Sequence, residues 1–133
     1  GDGTTEAVTV DTGSAAAAGQ YEAGSGTDAI QPATAAGNTA GGSNSTIAGG
    51  RNNGTLGDYN FIGAGESNSL TATADHGFIG GGQSNSNSGE GAVIVGGGNA
   101  TGKYAGNTIE AGATSATIGG GASHTVKSTK QQV

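Results

Sequence analysis

Residues 61–85 read FIGAGESNSLTATADHGFIGGGQSN and contain the same block twice. Each copy begins with a β-branched residue, continues with three small residues and ends in a short polar stretch. The block recurs through the second two-thirds of the chain, with its apolar position at Ile47, Ile62, Ile79, Val95 and Ile118. The spacings are 15, 17, 16 and 23 residues, and the last interval holds a degenerate copy at Ile109. Such a period predicts stacked structural repeats.

A polar position recurs at a fixed distance after each glycine block. Three residues after the last glycine of each block stand Asn53, Asn68, Asn85, Thr101 and His124. Asparagine at a repeated corner adopts a left-handed or Asx-turn conformation with little strain, and stacked amides hydrogen-bond along the axis. We therefore predict that this position forms a corner of the repeat.

The repeat predicts an all-β fold. One block cannot bury its own apolar face, so copies must stack. Glycine at this density destabilises helices, whereas Ile, Val, Phe and Thr beside Gly-Asn turns favour short strands. We expect a β-solenoid or trimeric β-roll built from 15–17-residue Ile-Gly-Gly-Gly repeats. The predicted organisation is an N-terminal strand and connector over 1–40, the solenoid over 41–124 and a tail over 125–133.

Composition bears on the number of chains in the assembly. Leu, Ile, Val and Phe together supply only 17 of the 133 residues, fewer than an ordinary core needs. With one apolar residue per turn, a single-chain solenoid has almost no interior. Three chains around a common axis bring three such residues together at each level, so we expect a homotrimer.

The Ile-Gly-Gly-Gly block followed by Gln83-Ser84-Asn85 and Gly89 resembles the Gly-rich head repeats of trimeric autotransporter adhesins and related phage fibre proteins. The resemblance covers about residues 45–121. It implies a trimeric β-roll outside the cell, on a bacterial surface or a virion. The repeats here are longer than the common adhesin repeat and carry glycine triplets, which departs from that pattern.

The chain also resembles phage tail-tip adhesins, which alternate Gly-rich segments with polar receptor-contacting loops. That resemblance implies a lattice of polyproline II helices instead of strands. Because each short triplet here follows Ile or Val, strands are favoured.

The sequence gives little support for catalysis. The only histidines are His76 and His124, and side chains adjacent in a strand, such as Asp75 and His76, point to opposite faces. No Gly-x-Ser-x-Gly motif is present, and the carboxylates are dispersed singly. There is no cysteine, and the repeat lacks the aspartate of calcium-binding β-roll nonapeptides. We expect no enzyme activity, no cofactor and no metal site.

Binding to another surface remains as a class of function. The net charge of −6 disfavours nucleic acid and anionic membranes as partners, and no apolar run is long enough to insert into a membrane. The candidate receptor contacts are the aromatic and cationic residues of the variable polar loops, namely Arg51, Tyr59, His76, Lys103 and Tyr104.

The leading hypothesis is a non-enzymatic extracellular fibre or adhesin module, a stiff rod whose polar loops attach to a surface glycan or protein receptor. The alternative is a self-assembling structural filament subunit joined by addition of its N-terminal strand to a neighbour. An ice-binding solenoid is a third hypothesis. Only Thr71-Ala72-Thr73 shows the relevant spacing, and we do not expect threonine to recur in each turn.

Overall fold

A computed structural model describes residues 21–33, 36–99 and 105–128 of the protein. Throughout these residues the chain is all β and forms a β-solenoid of two stacked sheets. The described part of the chain contains no helix that is long and apolar enough to cross a membrane.

Each sheet stacks one short strand from every turn of the coil. The first sheet consists of β1 (Tyr21–Ala23), β2 (Ile30–Pro32), β4 (Thr46–Ile47), β6 (Phe61–Ile62), β8 (Phe78–Ile79), β10 (Val93–Ile94) and β12 (Thr117–Ile118). The second sheet consists of β3 (Thr39–Ala40), β5 (Gly54–Thr55), β7 (Ser69–Leu70), β9 (Ser86–Asn87), β11 (Thr108–Ile109) and β13 (Thr125–Val126). All of these strands pair in parallel except β1, which is antiparallel to β2.

Strict register places like residues on top of one another. In the first sheet Ile47 pairs with Ile62, Ile62 with Ile79, Ile79 with Ile94 and Ile94 with Ile118. Because side chains alternate along a strand, the second residue of each two-residue strand points inward. Stacking these strands therefore forms a continuous column of isoleucine along the axis.

The interior is built by one chain. Both sheets contribute an inward residue to each turn, and the largest apolar ones, Ile47, Ile62, Leu70, Ile79, Ile94, Ile109, Ile118 and Val126, are at most 4% exposed. The expectation of one apolar residue per turn, on which the trimer argument depended, is wrong. Two short strands per turn enclose a narrow core between them.

The sequence alignment of the fourth block is wrong by one residue. Ile94 lies in the core column, whereas Val95 is 53% exposed on the outside of the first sheet. Three β-branched residues, Val93, Ile94 and Val95, stand in succession here, so aligning on the glycine triplet selected the last of them, which faces outward. Ile109 is not a degenerate copy of the block either, because it lies in the second sheet between Asn87 and Val126.

The solenoid extends beyond the predicted limits of 41 and 124. β2 pairs with β4 and β3 pairs with β5, so residues from Ile30 onward already belong to the two sheets. At the other end, β13 lies in the segment predicted as a tail. The predicted strand at residues 6–10 lies outside the described residues.

Candidate functional site

Each turn has two corners, which differ in chemistry. The glycine corner joins a strand of the first sheet to the next strand of the second sheet, as in residues 48–53, 63–68 and 80–85. The acidic corner leads back to the first sheet, as in residues 41–45, 56–60, 71–77 and 88–92. Both corners are short, so their side chains stack from one turn to the next about 4.8 Å apart.

A buried ladder of asparagines holds the glycine corner. Its members are Asn38, Asn53, Asn68, Asn85 and Asn107, which are between 0 and 8% exposed. Each side-chain Oδ1 accepts the backbone N–H of the next member at 2.9–3.1 Å, and the last bond is donated by His124. The Nδ2 groups donate to glycine-corner carbonyls, such as those of Ala64 and Gly82 for Asn68. The ladder thus satisfies backbone groups that the corner would otherwise bury unpaired.

The glycine three residues after each core isoleucine of the first sheet is needed for this packing. Gly50, Gly65, Gly82 and Gly97 have φ between 78° and 99°. A Cβ atom on any of the four would overlap the carbonyl oxygen of the equivalent residue one turn on. The middle position of the block has no such constraint, and it already carries an alanine in Ala64.

The outer edge of the glycine corner carries a short row of polar side chains. Arg51 Nη2 pairs with Glu66 Oε1 at 2.6 Å, and Gln83 Nε2 donates to Glu66 Oε2 at 3.0 Å. The Arg51 side chain is 66% exposed, so the pair contributes little to stability. The Arg51 guanidinium is thus paired with Glu66, and its role as a receptor contact stays a prediction.

The acidic corner contains a second column of left-handed residues. Asn44, Tyr59, His76, Gly91 and Ser115 have φ between 54° and 62°. Each donates its N–H to a carbonyl of the preceding turn at 2.7–2.9 Å, from Thr27, Ser43, Asp58, Asp75 and Glu90 respectively. The repeated bond holds the backbone of every residue in the column in the same orientation.

This geometry brings two predicted receptor contacts together. The rings of Tyr59 and His76 stack with centroids 5.0 Å apart and an interplanar angle of 5°. Tyr59 is 57% exposed, and His76 is exposed as well. They form a flat aromatic surface on the outside of the solenoid.

Carboxylates line the same corner. Asp58 Oδ1 accepts the N–H of Ser43, and Asp75 Oδ1 accepts the N–H of Asp58, both at 2.8 Å. Glu90 occupies the next position, and its carboxylate forms no hydrogen bond or ion pair with the described residues. Arg51 lies on the glycine corner and Lys127 follows the last strand, β13, so the acidic-corner segments 56–60, 71–77 and 88–92 carry Asp58, Asp75 and Glu90 and no lysine or arginine.

The other predicted site residues are spread out. Arg51 lies on the opposite corner from Tyr59 and His76. Lys103, Tyr104 and the predicted corner residue Thr101 lie outside the described residues. His124 ends the asparagine ladder and is exposed.

Sequence reasoning missed Asn38 and Asn107 as ladder members. Counting from the glycines assigned the fourth corner to Thr101, because the connection from β10 to β11 is longer than the others. A better signal is asparagine two residues before an inward-facing residue. Asn107-Thr108-Ile109 follows the same pattern as Asn68-Ser69-Leu70.

The two sheets present different outer surfaces. Exposed apolar side chains collect on the first sheet, where Phe61 and Phe78 stack with centroids 5.6 Å apart and Ile30 and Val95 are 46% and 53% exposed. Beside the phenylalanines lie Gly63, Gly80 and other small residues.

The outer face of the second sheet carries hydroxyl groups, in Thr39, Ser69, Ser86, Thr108 and Thr125. The equivalent position of β5 is Gly54, so threonine itself does not recur in every turn, as the sequence predicts. The neighbouring outward position holds Leu56 in one turn, Glu110 in another and Lys127 in a third, which makes the face uneven.

No group of three or more His, Cys, Asp or Glu side chains suited to a metal ion occurs within residues 21–33, 36–99 and 105–128. No protein-family model, curated protein or solved structure matches the chain.

Proposed function

We propose that the chain is a non-enzymatic module of an extracellular fibre or adhesin that attaches to a receptor through its acidic corner. The observation that carries the proposal is the stacked pair of Tyr59 and His76 on the outside of a parallel β-solenoid. Exposed aromatic rings are frequent anchors in binding surfaces. Their backbone is fixed by hydrogen bonds to the preceding turn, which lowers the entropy lost on binding.

A binding assay on receptor-bearing cells tests this role. His76→Asn and Tyr59→Asn remove the rings, and asparagine tolerates the left-handed backbone at both positions. We expect the double variant to lose surface binding. The control Ser123→Asn, at an exposed left-handed position of the glycine corner, should retain it. Equal binding by all three proteins would contradict the proposal.

We further propose that three copies associate through the outer face of the first sheet. None of the outward residues of β2, β4, β6, β8, β10 and β12 is charged. Each copy carries a net charge of −6, so this face lets copies meet without placing like charges against one another. The large side chains of Phe61 and Phe78 stand next to the small Gly63 and Gly80. In a ring of three, the large column of each copy lies over the small column of the next copy, which is a heterologous contact that closes.

Light scattering tests this association. The expected mass is about three times the 12.4 kDa of one chain. Val95→Glu places a charge in the proposed interface and should reduce the mass to that of a monomer. Leu56→Glu, at a similarly exposed position directly after β5 and away from the first sheet, should leave the trimer intact. Species of megadalton mass would instead favour the alternative of a self-assembling filament.

A further inference from the structure

The aromatic column of the acidic corner is interrupted at Gly91. Tyr59, His76, Gly91 and Ser115 occupy successive turns in the same left-handed conformation. His76 stacks on Tyr59 with one face of its ring, and glycine places no side chain against the other face. A Cβ atom built on Gly91 meets only Ser115 Oγ, at 3.6 Å. The gap therefore has His76 on one side and Ser115 on the other.

The size of this gap suits a flat group. Positions two turns apart in a column are separated by about 9.6 Å, twice the spacing of strands in a sheet. A planar group at the level of Gly91 would lie about as far from His76 as His76 lies from Tyr59, whose centroid separation is 5.0 Å. The column is thus shaped to accept one more flat group from outside the chain.

The carboxylates beside the gap favour a flat group that carries positive charge. Asp58 and Asp75 each use one carboxylate oxygen for a backbone N–H. The carboxylate of Glu90, next to Gly91, has no partner among the described residues and is exposed. A flat ligand with hydrogen-bond donors and positive charge can stack on the His76 ring and pair with the Glu90 carboxylate.

We propose that the gap at Gly91 binds the guanidinium group of an arginine side chain on the receptor protein. Guanidinium is planar, stacks on aromatic faces and pairs with carboxylates through paired N–H donors. A lysine ammonium lacks the planarity, and a neutral sugar lacks the charge. The inference rests on the proposed receptor-binding role and specifies the chemistry that the acidic corner recognises.

An NMR titration of the full chain with N-acetyl-arginine methylamide tests the site. The matched probes are the lysine derivative, the citrulline derivative, which has the arginine shape without its charge, and methyl glucoside. We expect shifts of the Gly91 amide and the His76 ring signals with the arginine derivative, and weaker or no shifts with the other three. Equal shifts with lysine, citrulline or glucoside, or no shift at about 20 mM arginine derivative, would overturn the proposal.

Variants make the test specific. Glu90→Gln should weaken arginine binding by about three- to tenfold. Gly91→Asn, which fills the gap with a residue that tolerates its φ of 62°, should abolish it. Glu66→Gln removes an acidic residue of the glycine corner, on the other side of the solenoid, and should have no effect. Unchanged amide dispersion shows that each variant is folded, and unaltered binding in both Glu90→Gln and Gly91→Asn would disprove the site.

The cell-binding assay separates this inference from the proposed function. If the wild-type chain binds cells and the Glu90→Gln and Gly91→Asn variants bind equally well, the arginine site is wrong and the receptor-binding role stands. If the arginine-specific shifts occur and the wild-type chain binds no surface, the receptor-binding role is wrong and the site stands.

Discussion

At the scale of single residues, the fold depends on amide side chains as much as on apolar ones. Asn68 illustrates this, because its Nδ2 donates to Ala64 and Gly82 carbonyls while its Oδ1 accepts the Asn85 N–H. A buried backbone group that loses its partner costs about 1–3 kcal/mol. Ladder asparagines are therefore not interchangeable with other small polar residues.

Asn68→Asp should lower the free energy of unfolding by about 3 kcal/mol or more, because it removes the donors and buries a carboxylate beside carbonyl oxygens. Asn52→Asp, the same change at an exposed left-handed position, should change stability by less than about 0.5 kcal/mol. Urea denaturation measures both. Similar midpoints for the two variants would show that the ladder does not stabilise the corner.

Thr55 shows the opposite case, a buried hydroxyl that contributes nothing. Its Oγ1 has no hydrogen-bond partner among the residues that the structure describes, and the residue is fully buried in the second sheet. Thr55→Val keeps the shape and should raise stability by about 1 kcal/mol. Ser45→Ala should lower stability by a similar amount, because Ser45 Oγ bonds both Gly57 O and the Asn60 N–H. Thermal melting of both variants would reveal whether their effects have opposite sign.

At the scale of structural elements, the glycine corner sets how closely turns can stack. Gly82→Ala should destabilise the protein by about 3 kcal/mol or more, since φ is 89° and the new Cβ would overlap the Gly97 carbonyl. Gly81→Ala is the control, because its Cβ would lie 3.7 Å from the nearest atom. If Gly81→Ala proves as damaging as Gly82→Ala, in the same denaturation experiment, close stacking is not the reason for the glycine.

The glycine corner and the first sheet were accessible from sequence because they repeat. Ile47, Ile62 and Ile79 precede glycine blocks, and Asn53, Asn68 and Asn85 follow them at fixed offsets. The second sheet was missed as an apolar column because its inward positions hold Ala40, Thr55 and Asn87 beside Leu70 and Ile109. Such mixed residues give no periodic signal.

The candidate site was predictable only in part. Tyr59 and His76 were recognised as loop residues, but their contact arises from a parallel register between turns 17 residues apart. The free carboxylate of Glu90 and the gap at Gly91 depend on the same register. Neighbours across turns cannot be identified until the residues that start each turn are known.

At the scale of the whole molecule, the solenoid is a one-dimensional stack in which each turn contacts mainly its neighbours. Deleting residues 63–79 removes one full turn and joins Ile62 to Gly80, the residue that follows the paired position Ile79. We expect a folded protein with a lower urea midpoint and a β-type circular dichroism spectrum. Deleting residues 63–71 instead puts the following strands out of register and should abolish folding. A folded product from both deletions would contradict the stacked register.

The one-turn register also has a consequence for heredity. Recombination between repeated segments of a gene inserts or removes whole units, and a unit that encodes one complete turn leaves every remaining turn with compatible neighbours. Rods of different reach, in steps of about 4.8 Å, can therefore descend from one another without passing through an unfolded ancestor. Their exposed corner residues remain free to diverge turn by turn.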